Sequence, residues 1–226
     1  MVVSLLVGAA DDPYGQGWPT MSGLRAMLWL MSAAPYELPF GAPRRPLTVA
    51  EYLELRETEF RVELVEGQLT VSPPPTPWHS RASYLLTSAL SEAVPSGWEV
   101  YQEVGVDLEL APVDQPAFVR IPDLTVVRAE AVRRLRAEGG IFRAADALLV
   151  VEVLSPGTIR TDQVVKRDEY ADAGIPHYWI VDIREPVSIK TFRQAGEFGY
   201  ADGEEITGAF RTDEPFRFEV DLSRLV

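Results

Sequence analysis

A single carboxylate inside an apolar run constrains this chain more than any other feature of its sequence. The apolar residues 148–151 continue through Glu152 into Val153 and Leu154, and the run ends at a Ser-Pro-Gly turn. Such a run predicts a strand that is buried on both faces of a sheet. An ionised carboxylate is costly there unless a cation, a metal or a proton compensates its charge. The partner of Glu152 therefore decides the function.

The composition indicates a globular protein with a strong excess of negative charge. The chain has 226 residues, and its 46% hydrophobic and 24% charged residues are ordinary for a globular domain. Its formal net charge of −13 repels nucleic acid, anionic membranes and acidic substrates at long range, so a polyanion partner needs local positive charge. With no cysteine and two histidines, a metal site must be rich in oxygen ligands, which favours Mg²⁺ or Mn²⁺.

Two segments of different character divide the chain. Residues 1–46 contain six prolines and no sustained hydrophobic period, and we interpret them as an N-terminal tail, either disordered or upstream of the true start. Residues 47–226 form the predicted folded domain. No apolar run approaches the roughly 20 residues of a bilayer-spanning helix, and the apolar start lacks the basic residues and cleavage site of a signal peptide. We expect a cytoplasmic protein with no membrane partner.

Hydrophobic patterns predict a mixed sheet flanked by helices, of α/β or α+β class. Thr48 and Glu51 form the capping box of a helix that is expected to run to about residue 58. Alternating residues on both sides of Glu66-Gly67 predict a hairpin. Apolar residues at helical spacing predict a helix over about 79–94. Strands are predicted at about 99–104, 106–110, 121–127, 147–154, 178–181 and 187–191.

Two carboxylates fall on or beside predicted strands at positions that suit a shared cation. Asp123 precedes a short apolar sequence, and Glu152 lies late on the next apolar strand. If these strands are neighbours, repulsion forces one carboxyl to hold a proton unless a divalent cation lies between them. Lys166 shares one helical face with Asp162 and Tyr170, each four residues away. If that face covers the strand ends, Lys166 reaches the same point.

These groups are suited to the hydrolysis of a phosphodiester. A bound metal acidifies a water molecule and screens phosphate charge, and a lysine orients the nucleophile or stabilises developing negative charge. Residues 128–146 carry five arginines against three acidic residues, and only this stretch suits a phosphate backbone; it is equally typical of a solvated helix.

The order of the motifs resembles one known family. From about Thr48 to Phe192, the chain is similar to the Uma family of candidate restriction endonucleases, within the PD-(D/E)XK nuclease superfamily. The matching elements are Val62–Gly67, Ser72-Pro73, His79, Pro122-Asp123, Val151–Pro156, Asp162, Lys166, Tyr170, Gly174–Pro176 and Tyr178–Asp182. The resemblance implies a restriction-endonuclease-like core, DNA as substrate, Mg²⁺ as cofactor and often a homodimer.

The resemblance also implies roles for particular residues. Asp123, on the second core strand, and Glu152, on the third, are the predicted metal ligands and catalytic carboxylates. The superfamily pattern has a lysine two residues after the glutamate, where this chain has Leu154. Lys166 on the following helix is the implied replacement and the third predicted catalytic residue.

Four further residues are candidates for supporting roles. Glu63 and His79 are expected to complete the site, and the alternative for His79 is a structural cap or core position. Asp162 either complements the helix dipole or supports Lys166, and Tyr170 either belongs to the core or donates a supporting hydrogen bond. A buried ion pair between Glu152 and Lys166 is the alternative to a metal site.

The sequence thus predicts a Mg²⁺-dependent DNA endonuclease. The alternative is a catalytically weak nuclease-fold module that binds nucleic acid or a partner in a regulatory role, which the net charge of −13 favours because DNA affinity relies on Lys and Arg. A purely structural or assembly role rests only on the aromatic pair Tyr178-Trp179.

Overall fold

The structure, a computed structural model, describes residues 45–55, 61–72, 74–155, 159, 161–196 and 199–226. Its helices are α1 (Val49–Leu53), α2 (Pro77–Ala93), α3 (Ala129–Glu138) and α4 (Arg167–Asp172), and a π-helical segment, Thr161–Lys166, leads directly into α4. None of these helices is both long enough and apolar enough to cross a bilayer. The strands are β1 (Arg61–Val65), β2 (Gln68–Ser72), β3 (Trp98–Gln102), β4 (Val106–Asp107), β5 (Val119–Arg120), β6 (Leu124–Arg128), β7 (Phe142–Arg143), β8 (Ala147–Val153), β9 (His177–Asp182), β10 (Ser188–Gln194), β11 (Tyr200–Thr207), β12 (Ala209–Thr212) and β13 (Phe218–Asp221).

The largest sheet in the described residues has six strands in the order β11-β10-β9-β8-β6-β3. β8 lies inside it, antiparallel to β6 and parallel to β9. All but one residue of β8 are buried, as the apolar run around Glu152 predicts. The parallel pair needs a crossover connection, and the π-helical segment and α4 lie within it.

The two faces of this sheet pack against different apolar cores. On one face, Val151 of β8 packs in a cluster with Leu86 and Leu90 of α2. On the other face, Val150 packs in a cluster with Tyr170 of α4. Because side chains alternate along a strand, Glu152 lies on the same face as Val150, which α4 covers. The strand pattern therefore sets the direction of the carboxylate.

A second sheet, in the order β2-β1-β5-β4-β7, contains the N-terminal hairpin. The turn between β1 and β2 has Glu66 at φ 50° and Gly67 at φ 74°, the positive values that a two-residue type I′ turn requires. A Cβ on Gly67 would lie 2.7 Å from the Cβ of Pro46 and 2.8 Å from the backbone nitrogen of Leu47. β1 also pairs antiparallel with β5, which brings the hairpin beside the segment that leads into β6.

The predicted class, a mixed α+β fold with helices flanking the sheets, is confirmed. The capping box of α1 is present, since the Thr48 hydroxyl accepts from the Glu51 amide and the Glu51 carboxylate accepts from the Thr48 amide. The helix predicted to about residue 58 ends earlier, at Leu53, because the amide of Leu55 bonds to the carbonyl of Tyr52 and closes a tighter last turn. The predicted tail, residues 1–46, lies outside the described residues except for its last two.

Candidate active site

Asp123 and Glu152 face each other across two neighbouring strands. Asp123 directly precedes β6, and Glu152 is the penultimate residue of β8. The antiparallel register pairs Leu124 with Val151, so the next position aligns Asp123 with Glu152. Both residues are 2% exposed. The strand register alone therefore brings two buried ionisable groups to one end of the β6–β8 pair.

The guanidinium of Arg61, at the start of β1, lies between these two carboxylates. Nη1 donates to Oδ1 of Asp123 at 2.7 Å, and Nη2 lies 3.8 Å from Oε2 of Glu152. Nη2 also donates to the carbonyl of Ile121. Sequence reasoning missed Arg61. The available signal was its spacing of two from Glu63, which places both side chains on one face of a strand.

Asp123 receives two further hydrogen bonds through its other oxygen. His79, in the first turn of α2, has Nε2 at 3.1 Å from Oδ2, and the amide of Val153 donates to Oδ2 at 2.7 Å. Burial by itself would raise the pKa of Asp123, but the His79 hydrogen bond and the charge of Arg61 lower that pKa to about 2. Burial opposes protonation of His79, yet its contact with Asp123 raises the pKa of the imidazole. Asp123 is therefore ionised at neutral pH.

Lys166 lies at the opposite side of the site, at the end of the π-helical segment. Its Nζ is 2.8 Å from Oε1 of Glu152, 3.3 Å from Oε1 of Glu63 and 3.4 Å from Oδ1 of Asp162. The hydroxyl of Tyr170 donates to the same Glu152 oxygen at 2.9 Å. The ammonium is buried and faces the carboxylates rather than solvent.

Arg120 forms a buried salt bridge with Glu63. It is the second site residue that was not predicted from the sequence. Its Nη1 donates to Oε2 of Glu63 at 2.9 Å, and its Nε and Nη2 donate to the two oxygens of Glu169 at 2.6 and 2.7 Å. The amide of Ile121 donates to Oε1 of Glu63 at 3.0 Å. Glu63 is therefore held in place beside Lys166. No local sequence pattern indicated that Arg120 would belong to the site.

The site holds more carboxylates than permanent cations. The carboxylates are Glu63, Asp123, Glu152, Asp162 and Glu169, and the permanent cations are Arg61, Arg120 and Lys166. The excess of negative charge affects the protonation of Glu152. Burial raises its pKa to about 8, and the charges of Asp123 and Asp162 add to this effect although Lys166 opposes it. Burial disfavours the charged form of Lys166, but the surrounding carboxylates raise its pKa, so the lysine stays charged.

A divalent cation at this site would be held by Asp123 and Glu152. Among the described residues, no group of three His, Cys, Asp or Glu side chains is arranged to hold a metal ion. Mg²⁺ usually binds through one or two carboxylates and completes its coordination with water and phosphate oxygens. Asp123 and Glu152 already share one cation, the Arg61 guanidinium, and the acidic excess allows more positive charge. The donor set fits a divalent cation held by these two carboxylates if Arg61 leaves its position.

The structure brings the seven sequence-predicted site residues into one network of contacts. These residues are Glu63, His79, Asp123, Glu152, Asp162, Lys166 and Tyr170. Leu154, at the position where the superfamily pattern has lysine, is buried in the apolar core on the α4 side. The ion pair between Glu152 and Lys166 is also present. This contact is expected both if Glu152 binds a metal and if the buried ion pair replaces a metal, so it does not distinguish the two hypotheses. The catalytic and metal-binding roles of these residues stay predictions.

The basic stretch 128–146 contains the last residue of β6, α3, β7 and a 3-10 turn at residues 144–146. Arg134 donates to both oxygens of Asp146, at 3.0 and 2.6 Å, and the guanidinium of Arg128 lies 4.7 Å from the ring centroid of Trp98. The other three arginines, at positions 133, 136 and 143, are exposed. Part of this positive charge is therefore used within the fold, and the remainder faces solvent.

A mixed sheet flanked by helices, with paired acidic residues at neighbouring strand ends, is the arrangement expected of a restriction-endonuclease-like fold. Residues 49–209 match the Uma2 family, described as "Putative restriction endonuclease", and the chain belongs to this family. The structure is similar to the crystal structure of a putative nuclease belonging to DUF820 from Anabaena variabilis, with a TM-score of 0.59 and 20% identity over 80% of this chain and 97% of that chain. No curated protein matches this chain. The family predicted from the motifs is thereby confirmed.

Proposed function

We propose that this protein is a Mg²⁺-dependent DNA endonuclease in which Asp123 and Glu152 hold the cation, with Mn²⁺ as a substitute. One observation carries the proposal: two buried carboxylates face each other at the ends of β6 and β8, with the Lys166 ammonium 2.8 Å from one of them. When bound, the cation would activate a water molecule and screen the charge of a phosphodiester.

The protein's own residues would orient these groups. His79 and the Val153 amide fix one oxygen of Asp123, and so determine which oxygen remains for a cation. Tyr170 fixes Oε1 of Glu152, the oxygen that Lys166 also contacts. Lys166 would stabilise the negative charge that develops on the phosphate.

DNA as the substrate requires local positive charge on an acidic protein, because phosphate neutralisation by Lys and Arg dominates DNA affinity. The exposed arginines at positions 133, 136 and 143 are candidates for these contacts. Exchange of all three to glutamine should weaken DNA binding and reduce its salt dependence, while the fold is retained. A fluorescence anisotropy titration at several salt concentrations measures both effects.

Incubation of a supercoiled plasmid with the full chain and Mg²⁺ or Mn²⁺ tests the nuclease proposal. We expect nicked or linear DNA with the wild type, and intact plasmid with Glu152→Ala, with Lys166→Ala, or with excess EDTA. Equal cleavage by the wild type and Glu152→Ala would assign the activity to a contaminant and refute the proposed site.

The second candidate is a nuclease-fold module that binds nucleic acid or a partner without efficient cleavage. The buried ion pair between Glu152 and Lys166 and the net charge of −13 favour it. Measurable DNA binding with no cleavage under any metal condition would establish this function in place of the first.

A homodimer in the cytoplasm completes the proposal. Pairs of chains are expected from the family resemblance, since a dimer could cut both strands of a duplex. Light scattering after size-exclusion chromatography should give twice the chain mass of 25.1 kDa. A mass of one chain, with and without DNA, would exclude the homodimer.

A further inference from the structure

The Arg61 side chain is more exposed to solvent than the carboxylates of Asp123 and Glu152, which it joins. Its side chain is 20% exposed, whereas those of Asp123 and Glu152 are 3% and 2% exposed. Outside the site, Oε1 of Glu103 lies 4.0 Å from Nη1 of Arg61, and the Glu103 side chain is 54% exposed. The guanidinium therefore has buried acidic partners on one side and a solvent-facing acidic partner on the other.

The contacts that hold Arg61 inside the site are incomplete. Its distance of 3.8 Å from Glu152 is beyond hydrogen-bond range. Its Nε is buried and has no hydrogen-bond partner among the described residues. A buried donor without a partner costs free energy, which a move toward water would recover. Arg61 and Lys166 each lie within 4.0 Å of three carboxylates, but the Arg61 side chain is 20% exposed and one of its partners faces solvent, whereas the Lys166 side chain is 6% exposed.

The backbone keeps Glu103 close to this position. Glu103 follows β3, which pairs with β6, and its amide donates to the carbonyl of Asp123 at 3.2 Å. A short rotation of the Arg61 side chain outward would therefore exchange the buried carboxylates for the exposed one.

We propose that Arg61 is a built-in counter-ion that competes with a divalent cation for Asp123 and Glu152, and that it moves toward Glu103 when the cation binds. The inference rests on the proposed metal-dependent function. It adds that Arg61 limits the affinity of the site for the cation. Two cations at one position repel each other strongly in a buried site, so only one of them occupies the space between the carboxylates. Metal binding then includes the cost of releasing Arg61.

Calorimetric titration of the full chain with Mg²⁺, and with Mn²⁺, tests this competition. Arg61→Gln should bind the metal about tenfold more tightly than the wild type, because the competing charged hydrogen bond is gone. Arg61→Lys should fall between them, since an ammonium cannot bridge two carboxylates as a planar guanidinium does. Glu103→Gln should bind the metal more weakly, because the released Arg61 loses its outer partner.

Two further variants separate this effect from general electrostatics. Arg211→Gln removes one exposed arginine, which is 71% exposed and pairs with Glu219, and so reports the effect of one lost positive charge on an acidic protein. Asp123→Asn defines the non-specific background. Circular dichroism checks the fold of each variant, and Arg61→Lys replaces Arg61→Gln in the comparison if the latter does not fold.

The outcomes distinguish this inference from the proposed function. If the wild type binds metal above the Asp123→Asn background and Arg61→Gln binds no more tightly than Arg211→Gln, the competition is refuted and the metal site stands. Metal binding by Arg61→Gln alone would support the competition. Binding by none of the chains above background would refute both. Unchanged affinity in Glu103→Gln would refute the outward movement toward that residue.

Discussion

Lys166 donates to Glu152 at 2.8 Å although fourteen residues separate the two along the chain. The contact joins the π-helical segment to β8, and it brings an ammonium next to the carboxylate whose neighbour at the expected lysine position is Leu154. One contact thereby has two consequences. It places a buried ammonium among the carboxyl groups at the end of the sheet, and it supplies the cation that the proposed chemistry needs.

Lys166→Met should destabilise the fold by about 3–5 kcal/mol, because it leaves buried carboxylates without their cation. The matched control is Lys190→Met, since Lys190 is 37% exposed and pairs with the exposed Asp202. That variant should lose less than about 1 kcal/mol. Urea denaturation of both variants measures the difference, and equal losses would show that the buried cluster does not depend on Lys166.

Tyr170→Phe should cost about 1.5–3 kcal/mol of unfolding free energy, because the hydroxyl donates to a charged or polar buried carboxyl group. Tyr178→Phe is the control on the same aromatic cluster, since its hydroxyl donates to the neutral carbonyl of Asp162 at 2.9 Å. The control should cost about 1 kcal/mol. A larger loss in Tyr178→Phe would contradict the importance of the Glu152 contact.

Glu152 should make the fold less stable as the pH rises from about 4.5 to about 8. The pKa of this carboxyl is raised from 4.5 to about 8, mainly by burial. Between these values the folded chain retains a proton that the unfolded chain releases, so the stabilisation is complete below the lower value and is lost toward the upper one. Urea unfolding in EDTA across this range measures the slope, and Glu152→Gln should flatten it.

Asp123 should produce the opposite dependence in acid. Its pKa is lowered from 3.8 to about 2, so its contribution to stability is complete above about pH 4 and is lost as the pH falls toward 2. Asp123→Asn should remove this part of the acid transition, and it should also reduce the slope between pH 4.5 and 8, because the Asp123 charge helps to raise the pKa of Glu152. An acid limb that is the same in Asp123→Asn and the wild type would assign the transition to other carboxylates.

Gly67→Ala should destabilise the hairpin by more than about 2 kcal/mol, because a side chain there combines a positive φ with contacts under 3 Å. Gly174→Ala is the control, since Gly174, which follows α4, has a similar φ of 72° and a Cβ there would meet nothing within 4 Å. The control should cost about 1 kcal/mol. Thermal unfolding of both variants separates steric overlap from backbone strain.

Local patterns were sufficient for much of the fold. The apolar run predicted β8, the Glu66-Gly67 turn predicted the hairpin, and helical spacing predicted α2 within about two residues of its observed ends. The pairing of Asp123 with Glu152 was predictable once the two strands were assumed to be neighbours. The helical spacing of Asp162, Lys166 and Tyr170 and the order of the motifs then selected Lys166 over Lys190, the other lysine of the chain.

The contributions of Arg61 and Arg120 were not predictable in the same way. Arg61 contacts Asp123 across 62 residues of chain, and Arg120 contacts Glu63 across 57. Such contacts depend on the pairing of β1 with β5, and hydrophobic periodicity does not specify which strands pair. The sequence therefore predicted Lys166 and four of the acidic residues of the site, Glu63, Asp123, Glu152 and Asp162, but neither of the two arginines.

The π-helical segment Thr161–Lys166 makes the position of the ammonium depend on the number of residues before it. A π-helical turn contains one residue more than an α-helical turn, and one residue corresponds to about 100° of rotation in an α-helix. Deletion of the exposed Gln163 would therefore change the rotation between Asp162 and Lys166 by about 100° without substituting any residue of the site. We expect this shortened chain to lose DNA cleavage as completely as Lys166→Ala. The removal of one residue outside the site would then be enough to abolish the proposed activity.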